Sequence, residues 1–118
     1  LSHHAGKPDM IARLSKIEID TLKHFNQFLF EMDQIKEEGG TLLDHTTVVM
    51  GSNFGDSSNH TCDYLPMIVA GGGYKHQTHT VLEKQTPLCN LYLELLHKHN
   101  IDVGSFGSSE RDMGLLKG

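Results

Sequence analysis

Tryptophan is absent from this chain, and 118 residues hold only three prolines, two cysteines and three tyrosines. Cys62 and Cys89 do not make a CxxC unit, and two cysteines neither prove nor exclude a disulfide, so they do not indicate the redox compartment. No apolar run approaches the ~18 residues of a membrane span. Ten Lys and Arg stand against 15 Asp and Glu, a net charge of -5, and the basic residues are scattered. That balance argues against nucleic acid or an anionic membrane as the main partner. Repeats, heptads and low-complexity tracts are also missing.

What is present in excess is histidine, nine residues in 118. Imidazole is the commonest transition-metal ligand and the side chain that titrates nearest neutrality. The chain opens on Leu1-Ser-His-His-Ala-Gly6, without an initiator Met, and this polar stretch reads like the inside of a loop. The expectation is the C-terminal part of a longer protein.

From about Asp9 to Glu38 the spacing predicts one long helix or two in tandem. Leu22, Phe25, Leu29, Met32 and Ile35 recur at steps of three and four, preceded by the shorter stripe Ile11, Leu14 and Ile17. Gly39-Gly40 is the expected stop. Thr46–Met50 is rich in β-branched residues without alternation, which suits a strand covered on both faces, and Leu65–Ala70 reads as its neighbour. Tyr74 to Glu83 reads as a weak strand or hairpin. Thr86-Pro87 is a good helix start, with Thr as N-cap and Pro at the first helical position. Leu88, Leu91, Tyr92, Leu95 and Leu96 would form that helix's packing face. His97 and His99 suit the negative pole at its end, and the tail from Ile101 reads mostly as loop. The order helix, strand, loop, strand, helix predicts a layered α/β unit with a mostly parallel sheet.

Between the two strands lie Gly51 to Tyr64, fourteen residues rich in Gly, Ser, Asn and Asp, long enough to belong to the class of functional loops. Asp56, His60 and Asp63 place two carboxylates and an imidazole within eight residues. Carboxylate oxygen and imidazole nitrogen together suit Zn, Mn or Fe. Loops also use Asp and Asn to satisfy their own backbone amides, so composition leaves both readings open. Ser52, Ser57 and Ser58 lack a nucleophile-elbow pattern.

The segments Gly40–Gly55, Leu65–Gly72 and Thr86–Leu96 resemble the late part of sulfatases and the wider alkaline phosphatase-like superfamily. The chain is more similar still to an uncharacterised bacterial family of that superfamily, domain of unknown function 1552. The residues that carry this likeness are Leu1–Gly6, Thr41–Asp44, Gly51-Ser52, Gly55-Asp56, His60, Asp63, Leu65-Pro66, Ala70–Gly73, His79, Thr86–Leu88 and Ser105–Gly107. The resemblance implies that residues 1–118 are the C-terminal part of a single α/β domain of alkaline phosphatase-like fold, from an exported, periplasmic or extracellular protein. It implies a sulfatase- or phosphatase-like hydrolase that uses a divalent metal, Zn, Ca or Mn, on a small-molecule or glycan ester.

Carried over by position, Asp56, His60 and His4 are the implied metal ligands. Asp63, His79, Asn53 and His3 are implied near the substrate or behind the ligands. Asn53 stands where sulfatases place a metal-binding Asp, Phe54 where they place His or Asn, and Cys62 where the nearer family often has His. The alternative is a non-catalytic exported binding or structural domain of the same fold.

Overall fold

The computed structural model describes residues 2–76 and 79–117. They divide into two compact units, Leu1–Gly73 and Tyr74–Gly118.

The first unit begins with helix α1, Pro8–Gln34, entered through Pro8 in its first turn, where a missing N–H costs nothing. At 27 residues it runs for about 40 Å. It ends earlier than the sequence predicts. Ile35 is already extended, and strands β1 (Lys36–Glu37) and β2 (Gly40–Thr41) form a minimal antiparallel hairpin. Gly39, at φ +84°, turns that hairpin instead of capping the helix.

Thr41 and Asp44 then lock a tight turn. Asp44 Oδ2 accepts from the Thr41 N–H at 2.8 Å and from its hydroxyl at 3.0 Å, while Thr41 Oγ1 accepts the Asp44 N–H at 3.1 Å. These bonds to the Thr41 backbone and hydroxyl hold the Asp44 carboxyl below its ordinary range.

Strands β3 (Thr47–Gly51) and β4 (Met67–Gly71) fall close to where the sequence places them, but they pair antiparallel, Thr47 with Gly71 through Gly51 with Met67. The expected layered α/β fold with a mostly parallel sheet is therefore corrected. The described residues form two helices and two separate two-stranded antiparallel sheets. The order of elements misled because a strand–loop–strand unit joined by a fifteen-residue connection (52–66) can close as a long hairpin, which needs no crossover helix. The expectation that β3 is covered on both faces fails with it, since Val49 and Ile68 are both exposed.

The second unit is built around helix α2, Cys89–Lys98. Thr86 does not cap it. Its hydroxyl donates to the Glu83 carbonyl at 2.8 Å, and the helix starts three residues later from Leu88. No strand forms between 74 and 83 among the described residues, and Gln77 and Thr78 lie outside them.

Of the predicted leucine face of α2, Leu91 is buried and the others are not. The buried face consists of Asn90, Leu91, Leu93 and Glu94. Asn90, Glu94 and His97 are spaced four and three apart, so they share one stripe, and each holds the tail. Asn90 Oδ1 accepts the Glu110 N–H at 2.8 Å. Glu94 Oε1 accepts the Leu116 N–H at 2.5 Å. His97 binds both Val103 and Asp112. Leu91, Leu93 and Leu116 supply the buried apolar residues of this unit, and Met32 that of the first.

Candidate functional site

The long loop between β3 and β4 is shaped by one close approach. A Cβ on Gly55 would sit 1.7 Å from the Asp63 carbonyl oxygen, so only glycine lets the two limbs of the loop cross. Beyond that point Asp56 and Thr61 form an isolated bridge, with the Gly55 N–H donating to Thr61 O at 2.9 Å and the Thr61 N–H to Asp56 O at 3.0 Å. His60 takes a left-handed φ of +54° to close this small turn, a conformation that His adopts more readily than most residues.

The Asp56 carboxylate is turned inward on its own loop. Oδ1 accepts the Ser58 N–H at 2.8 Å and the Asn59 N–H at 3.3 Å, and Oδ2 accepts the Asn59 side-chain amide at 2.6 Å. The Asn59 amide is the largest cause holding Asp56 below the usual carboxylate range, followed by the Ser58 N–H, with a smaller contribution from the charge of His4. A carboxylate has about four lone-pair sites, so these three bonds leave one on Oδ2.

The N-terminal segment lies across the same loop. Ser57 Oγ donates to Ser2 O at 3.1 Å, and Ser58 Oγ accepts the Ala5 N–H at 2.9 Å. These contacts bring His3 onto His60 with their Nε2 atoms 2.6 Å apart and their rings nearly perpendicular, 87° between planes. Phe54 stacks on His60 at a centroid distance of 5.4 Å and an interplanar angle of 28°, which sets the imidazole plane. His4 is turned differently. Its Nδ1 accepts the Gly6 N–H at 3.1 Å, so in the neutral ring the proton resides on Nε2 and the ring's lone pair is already used.

Of the residues expected at a metal, Asp56, His60 and His4 thus occupy one neighbourhood, but His3, expected behind the ligands, is the one whose nitrogen meets that of His60. Asn53 and Asp63 are exposed on the loop, and His79 is exposed in the second unit. Among the described residues no three His, Cys, Asp or Glu side chains come together to hold an ion. Sequence reasoning missed Ser57 and Ser58 as anchors of the N-terminal segment and Phe54 as the partner of the His60 ring. Phe54 was legible only as a departure from a motif.

The His3 and His60 Nε2 atoms are hydrogen-bonded to each other, one donating and the other accepting, so they could share an ion only by moving apart; imidazole nitrogens are borderline-soft donors. They fit Zn²⁺ and its first-row neighbours better than Ca²⁺, which favours an all-oxygen shell. The three loop serines are engaged in structural bonds. Ser52 Oγ bonds the Phe54 carbonyl and N–H, and Ser57 and Ser58 hold the N-terminal segment. No helix is long and apolar enough to cross a membrane among the described residues. No protein-family model, curated protein or solved structure matches the chain.

Proposed function

We propose that this chain carries part of the metal centre of an exported, sulfatase- or phosphatase-like ester hydrolase, with His3 and His60 as the metal-binding pair. The observation that carries this reading is the 2.6 Å hydrogen bond that brings together the Nε2 atoms of two histidines 57 residues apart in sequence. The Asp56 carboxylate, bonded to its own turn, shapes the loop that presents His60, and His4 flanks it. A bound divalent ion would supply Lewis-acid stabilisation of charge on a sulfuryl or phosphoryl oxygen. The chain's own contribution is to hold the two imidazoles against each other, His60 by stacking on Phe54 and His3 by the serine anchors.

Calorimetric titration of the 118-residue chain with Zn²⁺, followed by inorganic phosphate, tests this. His3→Ala and His60→Ala are expected to weaken Zn²⁺ binding by about tenfold or more each, and phosphate binding is expected only with zinc present. Zinc affinity unchanged in both variants would remove the metal centre. Zinc binding without any phosphate binding would favour the second reading, a non-catalytic exported binding domain. That reading draws its support from the loop serines, all of which are committed to backbone contacts.

A further inference from the structure

In the second unit His97 has both ring nitrogens engaged by acceptors. Nδ1 lies 2.8 Å from Asp112 Oδ2, and Nε2 lies 2.8 Å from the Val103 carbonyl oxygen. A carbonyl cannot donate, so Nε2 must carry a proton. The Asp112 carboxyl is held below its ordinary range, by His97 first and then by the Gly114 N–H, so it is ionised and Nδ1 must carry one too. The geometry therefore needs an imidazolium, and a neutral ring can keep only one of the two bonds. The charge-assisted bond to the carboxylate is the stronger, so Val103 is the partner given up.

Val103 lies within the stretch that walls an apolar groove of 290 Å³ along α2, lined by Tyr92, Leu95, Leu96, His99, Ile101 and Phe106. Ile101 is tied independently to the helix by its N–H to Leu96 O, and Phe106 is tied to Ser109 by bonds in both directions. Between those two points, His97 is the side chain that holds the loop to the helix among the described hydrogen bonds. We propose that His97 is a two-proton clip: as a cation it fastens Val103, and with it residues 102–106, to α2, and on losing a proton it releases Val103 and loosens the stretch between the groove-lining Ile101 and Phe106.

The charged groups that face the ring are Asp112 and, farther off, Asp102, both favouring the cation, while Lys98 acts on Asp112. The bond to Val103 and then that to Asp112 raise His97 above the ordinary imidazole value of 6.5. The clip is thus complete below that value and is lost as pH rises through the raised one. This inference is independent of the metal centre, which lies in the other unit.

The test uses the whole chain. Long-range proton–nitrogen spectra of His97 are expected to show both nitrogens protonated at pH 6 and a single transition above the ordinary range. Amide exchange at residues 102–106, corrected for intrinsic base catalysis, is expected to rise by about tenfold through that same transition, the scale of a lost hydrogen bond to a charged group. His97→Gln should show no such transition, and Asp112→Asn should move it to lower pH, which keeps the test decisive if the first variant folds poorly. An unprotonated His97 nitrogen at pH 6, or exchange at 102–106 that ignores the titration, would overturn the clip.

Discussion

Helix α1 presents a broad stripe of Ile11, Leu14, Ile17, Leu22, Phe25, Phe28 and Leu29 and buries only Met32, leaving Ile17 51% and Phe28 48% exposed. Helix α2, little more than a third as long, buries Asn90 and Glu94 almost completely, at 1% and 0% exposure. Both have the periodicity of amphipathic helices, yet the shorter one covers its polar side. The difference lies in the segment that succeeds each helix along the chain. After α2 comes an irregular tail whose N–H groups lack secondary-structure partners and must find acceptors, and a stripe of Asn, Glu and His supplies them. After α1 come only two-residue strands, too small to cover 40 Å of helix. Hydrophobic periodicity therefore foretells a helix but not which of its faces will be covered.

The contrast is broken most severely at Glu94. Its Oε1 holds Leu116, and its buried Oε2 has no partner among the described groups. Glu94→Ala strands the Leu116 N–H and leaves a hole, and is expected to cost about 2–3 kcal/mol in urea unfolding of the chain, with Glu94→Gln, which keeps the acceptor, costing less than half as much. Equal losses for the two would show that Glu94 acts by charge and not as an acceptor.

A second prediction sets the units against each other by pH. Asp56 is held low, so its loop bonds contribute above the ordinary carboxyl value of 3.8 and are lost as pH falls through the depressed one. Acid should release the Asp56 loop and, by protonating Asp112, weaken the Asp112 side of the His97 contacts while leaving the bond to Val103, whereas alkali should release Val103 and leave the Asp56 loop in place. Amide exchange at Ser58 and Asn59 on acidification, measured beside that at residues 102–106, checks the opposite signs. The smallest effect is expected on α1. Ile17→Lys on the open stripe should change unfolding free energy by no more than about 0.5 kcal/mol. A loss of about 2 kcal/mol or more, the size of a buried-core substitution, would mean that the stripe is covered in solution.

The legible parts of the fold were local. The apolar spacing of α1, the β-branched run of β3 and the leucine-rich α2 each locate an element to within a few residues. Strand direction was not legible, because parallel and antiparallel neighbours draw on the same residues and only the connection distinguishes them. Thr86-Pro87 satisfied a capping rule but the Thr86 hydroxyl was taken by Glu83, a turn contact that no single-position propensity reports. At the candidate site, residue types marked Asp56 and His60 but not their roles. That Asp56 serves its own loop depends on Asn59 lying three residues away in a closed turn, and that His3 and not His4 meets His60 depends on contacts spanning more than fifty residues.

The end of β4 has one further consequence. Gly71, Gly72 and Gly73 all lie at φ between +67° and +73°, and a Cβ on Gly71 would come within 2.2 Å of the Thr46 carbonyl. Three successive left-handed residues are, in stereochemical terms, a short length of mirror-image backbone written in the one amino acid that has no hand. The chain leaves its main hairpin by reversing chirality, and at Gly71, where a side chain has no room, that exit has no synonym among the other nineteen residues.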